Sequence, residues 1–82
     1  NYLKFSEVKK IIGEHLETAM SIKDFDITYA KRDTDFLNQK KIWKVNVEFV
    51  KKDQKYASSA LFSIDAQTGE VLEFGKDRIW QF

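Results

Sequence analysis

Tyr56 to Phe74, YASSALFSIDAQTGEVLEF, is the stretch that most restricts what this chain can become. Tyr56, Ser58, Ala60, Phe62 and Ile64 fall on one face, and Ala57, Ser59, Leu61, Ser63 and Asp65 on the other. That period of two marks a strand with one buried side. Asp65, Thr68 and Gly69 then supply turn chemistry: a side chain that can bond nearby backbone amides, and a residue that tolerates positive φ. Val71, Leu72 and Phe74 open the next strand, with a facing that the spacing leaves open. The rest of the chain has to cover one face of this hairpin.

The chain before the hairpin divides into one helix and two strands. Tyr2, Leu3 and Phe5 form a short apolar lead-in. Ser6 is a suitable N-cap, and Glu7 places a negative charge at the positive end of a helix dipole. Counted from Ser6, the reciprocal capping box is missing, because Lys9 stands where Glu or Gln is required. Val8, Ile11, Ile12, Leu16, Ala19 and Met20 recur at helical spacing, opposite Glu7, Lys10, Glu14 and Glu17. The pattern predicts an amphipathic helix of about four turns. Gly13 inside it suggests a close approach to a neighbour, since it costs about 1 kcal/mol relative to Ala.

Phe25, Ile27 and Tyr29 alternate with Asp26, Thr28 and Ala30 as a first strand, and Lys31 to Lys40 reads as a polar loop interrupted by Phe36 and Leu37. Lys41 to Val50 is the clearest strand, with Trp43, Val45, Val47 and Phe49 on one face. Lys51 to Lys55 is a charged connection. Gly75-Lys76-Asp77 signals another turn, and Ile79, Trp80 and Phe82 form an aromatic tail. That tail either completes the core as a short fifth strand or offers a partner contact, as exposed aromatics do.

Strands with one apolar and one polar face belong to an antiparallel sheet with one wet side. A single helix with one apolar stripe has one economical place to go, across the dry side. The expected fold is therefore α+β in the order α-β-β-β-β: one N-terminal amphipathic helix on a four-stranded antiparallel sheet, five-stranded if the tail joins. At 82 residues the chain is one domain with a thin core, burying roughly 60–65% of its unfolded surface. Seven Phe, three Tyr and two Trp predict a core built from large rings.

A helix followed by Trp43, Val45 and Val47 as W-x-V-x-V, then a strand running into Ile64-Asp65-Ala66-Gln67-Thr68-Gly69-Glu70-Val71-Leu72, resembles a PepSY domain. The resemblance spans about Ser6 to Leu72. The helix departs from the Ala-rich family pattern, with Ile11, Ile12, Gly13 and His15 where small residues are common. PepSY domains occur in propeptides of thermolysin-like metallopeptidases and in secreted or membrane-anchored bacterial proteins. The resemblance thus implies an extracytoplasmic, non-enzymatic module that contacts a protein partner, a peptidase being the class implied. It carries no catalytic motif and no cofactor. Asp65, Thr68 and Gly69 correspond to its structural turn.

Chemistry read from the residues points the same way. His15, the one histidine, has no second His or Cys with which to hold zinc. Its place near the middle of the Val8–Ile12–Ala19 stripe, at the helix–sheet boundary, suits a packed, hydrogen-bonded side chain better than a general base. Ser58 and Ser59 lack the strained turn of a nucleophile elbow. The pairs Glu14/Glu17 and Asp24/Asp26 suit a solvated face, and three glycines in no phosphate-binding spacing leave no nucleotide cradle. Fourteen basic against thirteen acidic residues, with lysine runs broken by acids, provide no nucleic-acid footprint. No apolar run is long enough to span a membrane. A first residue other than Met reads as a processed product or an excised piece. The partner surfaces expected are the polar sheet face, an edge strand open to strand addition, or Ile79, Trp80 and Phe82. The alternative is a purely structural or oligomerising domain of a larger envelope protein.

Overall fold

The computed structural model describes residues 2–76, and of Lys76 the backbone alone. Helix α1 spans Phe5–Met20, and strands β1 (Asp26–Asp35), β2 (Lys40–Val50), β3 (Ala57–Asp65) and β4 (Val71–Lys76) follow it. The strands form one antiparallel sheet in the order β1-β2-β3-β4. Helix first and sheet second is the expected α+β arrangement. The tail Ile79, Trp80 and Phe82, and with it the question of a fifth strand, lies outside the described residues.

The apolar stripe folds α1 onto the sheet. Val8, Ile12 and Leu16 are fully buried at successive i, i+4 steps and share a core with Val45, Val47, Phe49, Ala60, Phe62 and Ile64. Each large side chain so buried contributes about 1.5–3 kcal/mol relative to leaving it in water. Ala19, expected in the stripe, is exposed, while Met20 packs against the core and Ser21 then turns left-handed at φ 57°. That turn drops Ile22 into the core, with its N–H donating to the Leu16 carbonyl at 3.2 Å. Gly13 has the predicted close neighbour: a Cβ there would touch the Phe25 ring at 3.4 Å.

The helix begins at Phe5, so Lys4 and not Ser6 is its N-cap. Glu7 becomes the third helical residue, and its Oε1 accepts the Lys4 backbone N–H at 3.2 Å. Half of a capping box therefore forms where none was expected, around a cap two residues before Ser6. A lysine side chain cannot accept the reciprocal bond.

Strand β1 departs most from expectation. Segment 31–35, read as loop, continues the strand and pairs with residues 40–44. Backbone pairing carries a polar sequence here, since an edge strand needs only one satisfied side. A bulge at Thr28–Tyr29 sets both residues against Asn46 and shifts the alternation by one. Tyr29, expected beside Ile27 on the apolar face, consequently stands on the wet face, 49% exposed. A second irregularity, at Leu72, places Val71 opposite Ile64 and Phe74 opposite Phe62, so both pack on the core.

Rings do not dominate the interior. Phe49 and Phe62 are the buried ones among the described residues, while Tyr2, Phe5, Tyr29, Phe36 and Tyr56 are exposed. The thin core is mostly aliphatic, with aromatics around its rim. Phe62 is its centre, 4.6 Å from the Phe74 ring and 5.4 Å from His15.

Candidate functional site

The β3–β4 turn is a closed network of its own residues. Asp65 Oδ1 accepts the backbone N–H groups of Gln67 at 2.8 Å and Thr68 at 3.1 Å. The Asp65 carbonyl accepts Gly69 N–H at 2.9 Å, and Thr68 Oγ1 accepts Glu70 N–H at 3.2 Å. The Gln67 and Thr68 amides, with the Lys40 ammonium 3.9 Å away, hold the Asp65 carboxyl below its ordinary value. Asp65, expected on the solvated face, is instead buried by the turn it organises, and Ser63, flanked in register by Lys44 and Glu73, is buried beside it.

Ala66 carries the turn into the rest of the fold. Its N–H donates to the Lys41 carbonyl at 2.9 Å and its carbonyl accepts Leu3 N–H at 2.7 Å. The Leu3 carbonyl in turn accepts Trp43 Nε1–H at 3.1 Å. Gly69, at φ +81°, presses against Ile11 and Leu3. Apart from the Lys40 ammonium beside Asp65, the partners of Asp65 and Thr68 named here lie inside the hairpin. The motif is a clasp joining sheet, lead-in and helix.

His15 is half-buried between rings, 4.8 Å from Phe74 and edge-on to both Phe62 and Phe74. Its described contacts are aromatic packing, without the hydrogen bond expected of it. Among the described residues no group of three His, Asp or Glu side chains gathers as a metal site. The concavity at the far end of the sheet has Phe25 and Phe49 ringed by Lys9, Lys23, Asp24 and Glu48, a mixed-charge surface with no convergent chemistry.

The surface that stands out is the β1–β2 tip. Phe36 is 84% and Leu37 96% exposed, the most exposed large apolar side chains described. Asp35 holds them there: its Oδ1 accepts Leu37 N–H at 3.1 Å and Asn38 N–H at 3.3 Å, and its Oδ2 accepts Asn38 Nδ2–H at 2.8 Å. Gln39 closes the turn at φ 54°. The Asn38 side chain first, then the two backbone amides and the charge of Lys40, keep the Asp35 carboxyl below its ordinary value. The tip is thus an ordered turn presenting two apolar groups to water. Sequence reasoning passed over it, treating Phe36 and Leu37 as exceptions in a polar loop. The signal was present as two adjacent large apolar residues bracketed by Asp35 and Asn38, both good turn formers.

Beside the tip, the wet face forms a shallow groove with Ile42, Lys44, Leu61 and Glu73 along its floor and sides. Farther along, Asn46 Nδ2 donates to Thr28 Oγ1 at 2.8 Å and Ser59 Oγ at 3.0 Å, tying three strands together. No helix among the described residues is long and apolar enough to cross a membrane. Comparisons with protein-family models, with curated proteins and with solved structures give no match.

Proposed function

We propose that the chain is a non-enzymatic protein-interaction module that docks through the β1–β2 tip. The observation that carries this reading is the pair Phe36 and Leu37, almost fully exposed on a turn that Asp35 pins from within. A turn whose backbone is already fixed costs less ordering on binding than a loose loop, so more of the desolvation of its two side chains goes into affinity. A convex apolar tip matches a concave apolar cleft. The PepSY resemblance of about Ser6 to Leu72 supports a peptidase as the owner of that cleft and an extracytoplasmic, secreted or membrane-tethered setting.

The test is to titrate the chain into a thermolysin-like metallopeptidase assay beside a Phe36→Ser/Leu37→Ser variant. Inhibition by the first and not by the second is the expected result. Unchanged rates at a large excess of the chain would remove that peptidase class as partner. Equal inhibition by both proteins would remove the tip.

A further inference from the structure

The sheet face turned away from α1 carries a pattern that neither the fold nor the tip explains. Cross-strand register lays its side chains out in rows from β1 to β4. One row is Tyr29, Asn46, Leu61, Gly75, and the next is Lys31, Lys44, Ser63, Glu73. In the second row Lys31 stands directly opposite Lys44, a like-charge pairing that is unfavourable within one sheet. Lys44 has Asp33 at 3.9 Å, whereas Lys31 and Glu73, at the two ends of the row, are exposed and make no ion pair among the described residues. The first row is uneven in shape. Tyr29 projects at one end, 49% exposed, and at the other end nothing among the described residues lies within 4 Å of where a Gly75 Cβ would stand. Leu61 between them is 39% exposed.

We propose that this face packs on the same face of a second copy of the chain, about a two-fold axis parallel to the strands. Such a rotation sets each row over itself and reverses its direction, so the β1 end of one copy lies over the β4 end of the other. Lys31 then meets Glu73 of the second copy, and Tyr29 fills the space over Gly75 of the second copy, each contact made twice. Leu61 of both copies flanks the axis. Charge and shape match for the same reason: each row is asymmetric, and the two-fold turns asymmetry into complementarity. Two sheets stacked about 10 Å apart with strands aligned to within about 30° is an ordinary packing. The sheet is four strands wide and its wet face is largely polar, so the dimer is a weak one at the small end of the interface range. The Phe36–Leu37 tip borders the same groove as Lys44, Leu61 and Glu73, but the paired contacts of Lys31 with Glu73 and of Tyr29 with Gly75 do not use it.

Sedimentation equilibrium of the chain from about 1 μM to about 1 mM, the range in which a weak dimer shows itself, tests this. A monomer–dimer equilibrium is expected. Lys31→Glu alone or Glu73→Lys alone sets like charges together twice and weakens the dimer by about tenfold or more. The double exchange Lys31→Glu/Glu73→Lys restores it to within about threefold of the parent, a difference of under about 0.7 kcal/mol. Both positions are exposed, and thermal melts of all four proteins verify that each is folded. A parent that stays monomeric at the highest concentration overturns the proposal. So do single variants that dimerise like the parent, and a double variant as weak as the singles.

Discussion

A Cβ on Gly69 would stand 2.9 Å from Cδ1 of Ile11, so the β3–β4 turn meets the first half of α1 with room for a hydrogen and nothing larger. The same residue needs φ +81°, where an L side chain is strained by about 1–2 kcal/mol. Backbone and packing ask for glycine independently.

Gly69→Ala should therefore lower stability by at least about 1–2 kcal/mol, and Gly69→Val by more, in urea unfolding at unchanged m. Shortening Ile11 to Ala in the Gly69→Ala background should recover part of the steric share, a coupling of about 0.5–1 kcal/mol. Strict additivity of the two substitutions would mean that the turn and helix do not press on one another.

Acid should loosen the two Asx turns together. Asp65 and Asp35 both have carboxyls held below their ordinary value near 3.8 by amide donors. A group whose folded pKa is depressed contributes stability that is complete above the unfolded value and disappears as pH falls through the folded one. Unfolding free energy should thus be level at neutral pH and decline as pH drops below about 4. Asp65→Asn, which keeps an acceptor but cannot titrate, should flatten part of that decline. An acid limb identical to the parent's would show that Asp65 takes no part in it.

Phe62 and His15 touch edge-on, yet the fold should weigh them differently. Phe62 is fully buried at the centre of the core, so Phe62→Ala should cost about 3–5 kcal/mol. His15 serves as a packing ring at the rim, and His15→Phe should change stability by less than about 1.5 kcal/mol. A larger loss from the histidine replacement, read from the urea midpoint, would point to a polar partner for His15.

The tip should be dispensable for folding. Phe36 and Leu37 bury little, so their replacement by serine should move stability by no more than about 0.5 kcal/mol. Asp35→Ala should disorder the turn, seen as loss of amide-exchange protection at Leu37 and Asn38 without global unfolding. A large drop in melting temperature in the serine variant would mean that the tip is structural.

How far the sequence can be read depends on how local the controlling force is. Helix α1 was legible because three buried positions, Val8, Ile12 and Leu16, repeat at its period. Its true start was not, because the lead-in is tied down from outside, by Ala66 and Trp43, and that tie brings Lys4 to the cap. The Asp65–Gly69 turn was legible because its bonds run between near neighbours. Its role as a clasp was hidden in the contact with Ile11, 58 positions earlier in the numbering.

Alternation alone assigned β2 and β3, and the amphipathic stripe set the helix against them, because one-sided burial leaves a strong periodic imprint on residue choice. Tertiary structure decided what periodicity does not encode. The bulge at Thr28–Tyr29 sent Tyr29 to the wet face, backbone pairing with residues 40–44 extended β1 through Arg32 and Asp35, and Arg32 came to lie 5.7 Å from the Trp43 ring and 5.9 Å from that of Tyr2. Edge strands answer to the hydrogen-bonding needs of their neighbour more than to their own hydrophobicity, and bulges shift register without altering composition. The candidate surfaces, tip and wet face, arise from those register choices. The sequence alone therefore determined the fold class and the hairpin at its centre. Only the assembled sheet determined which side chains stand together on its surface.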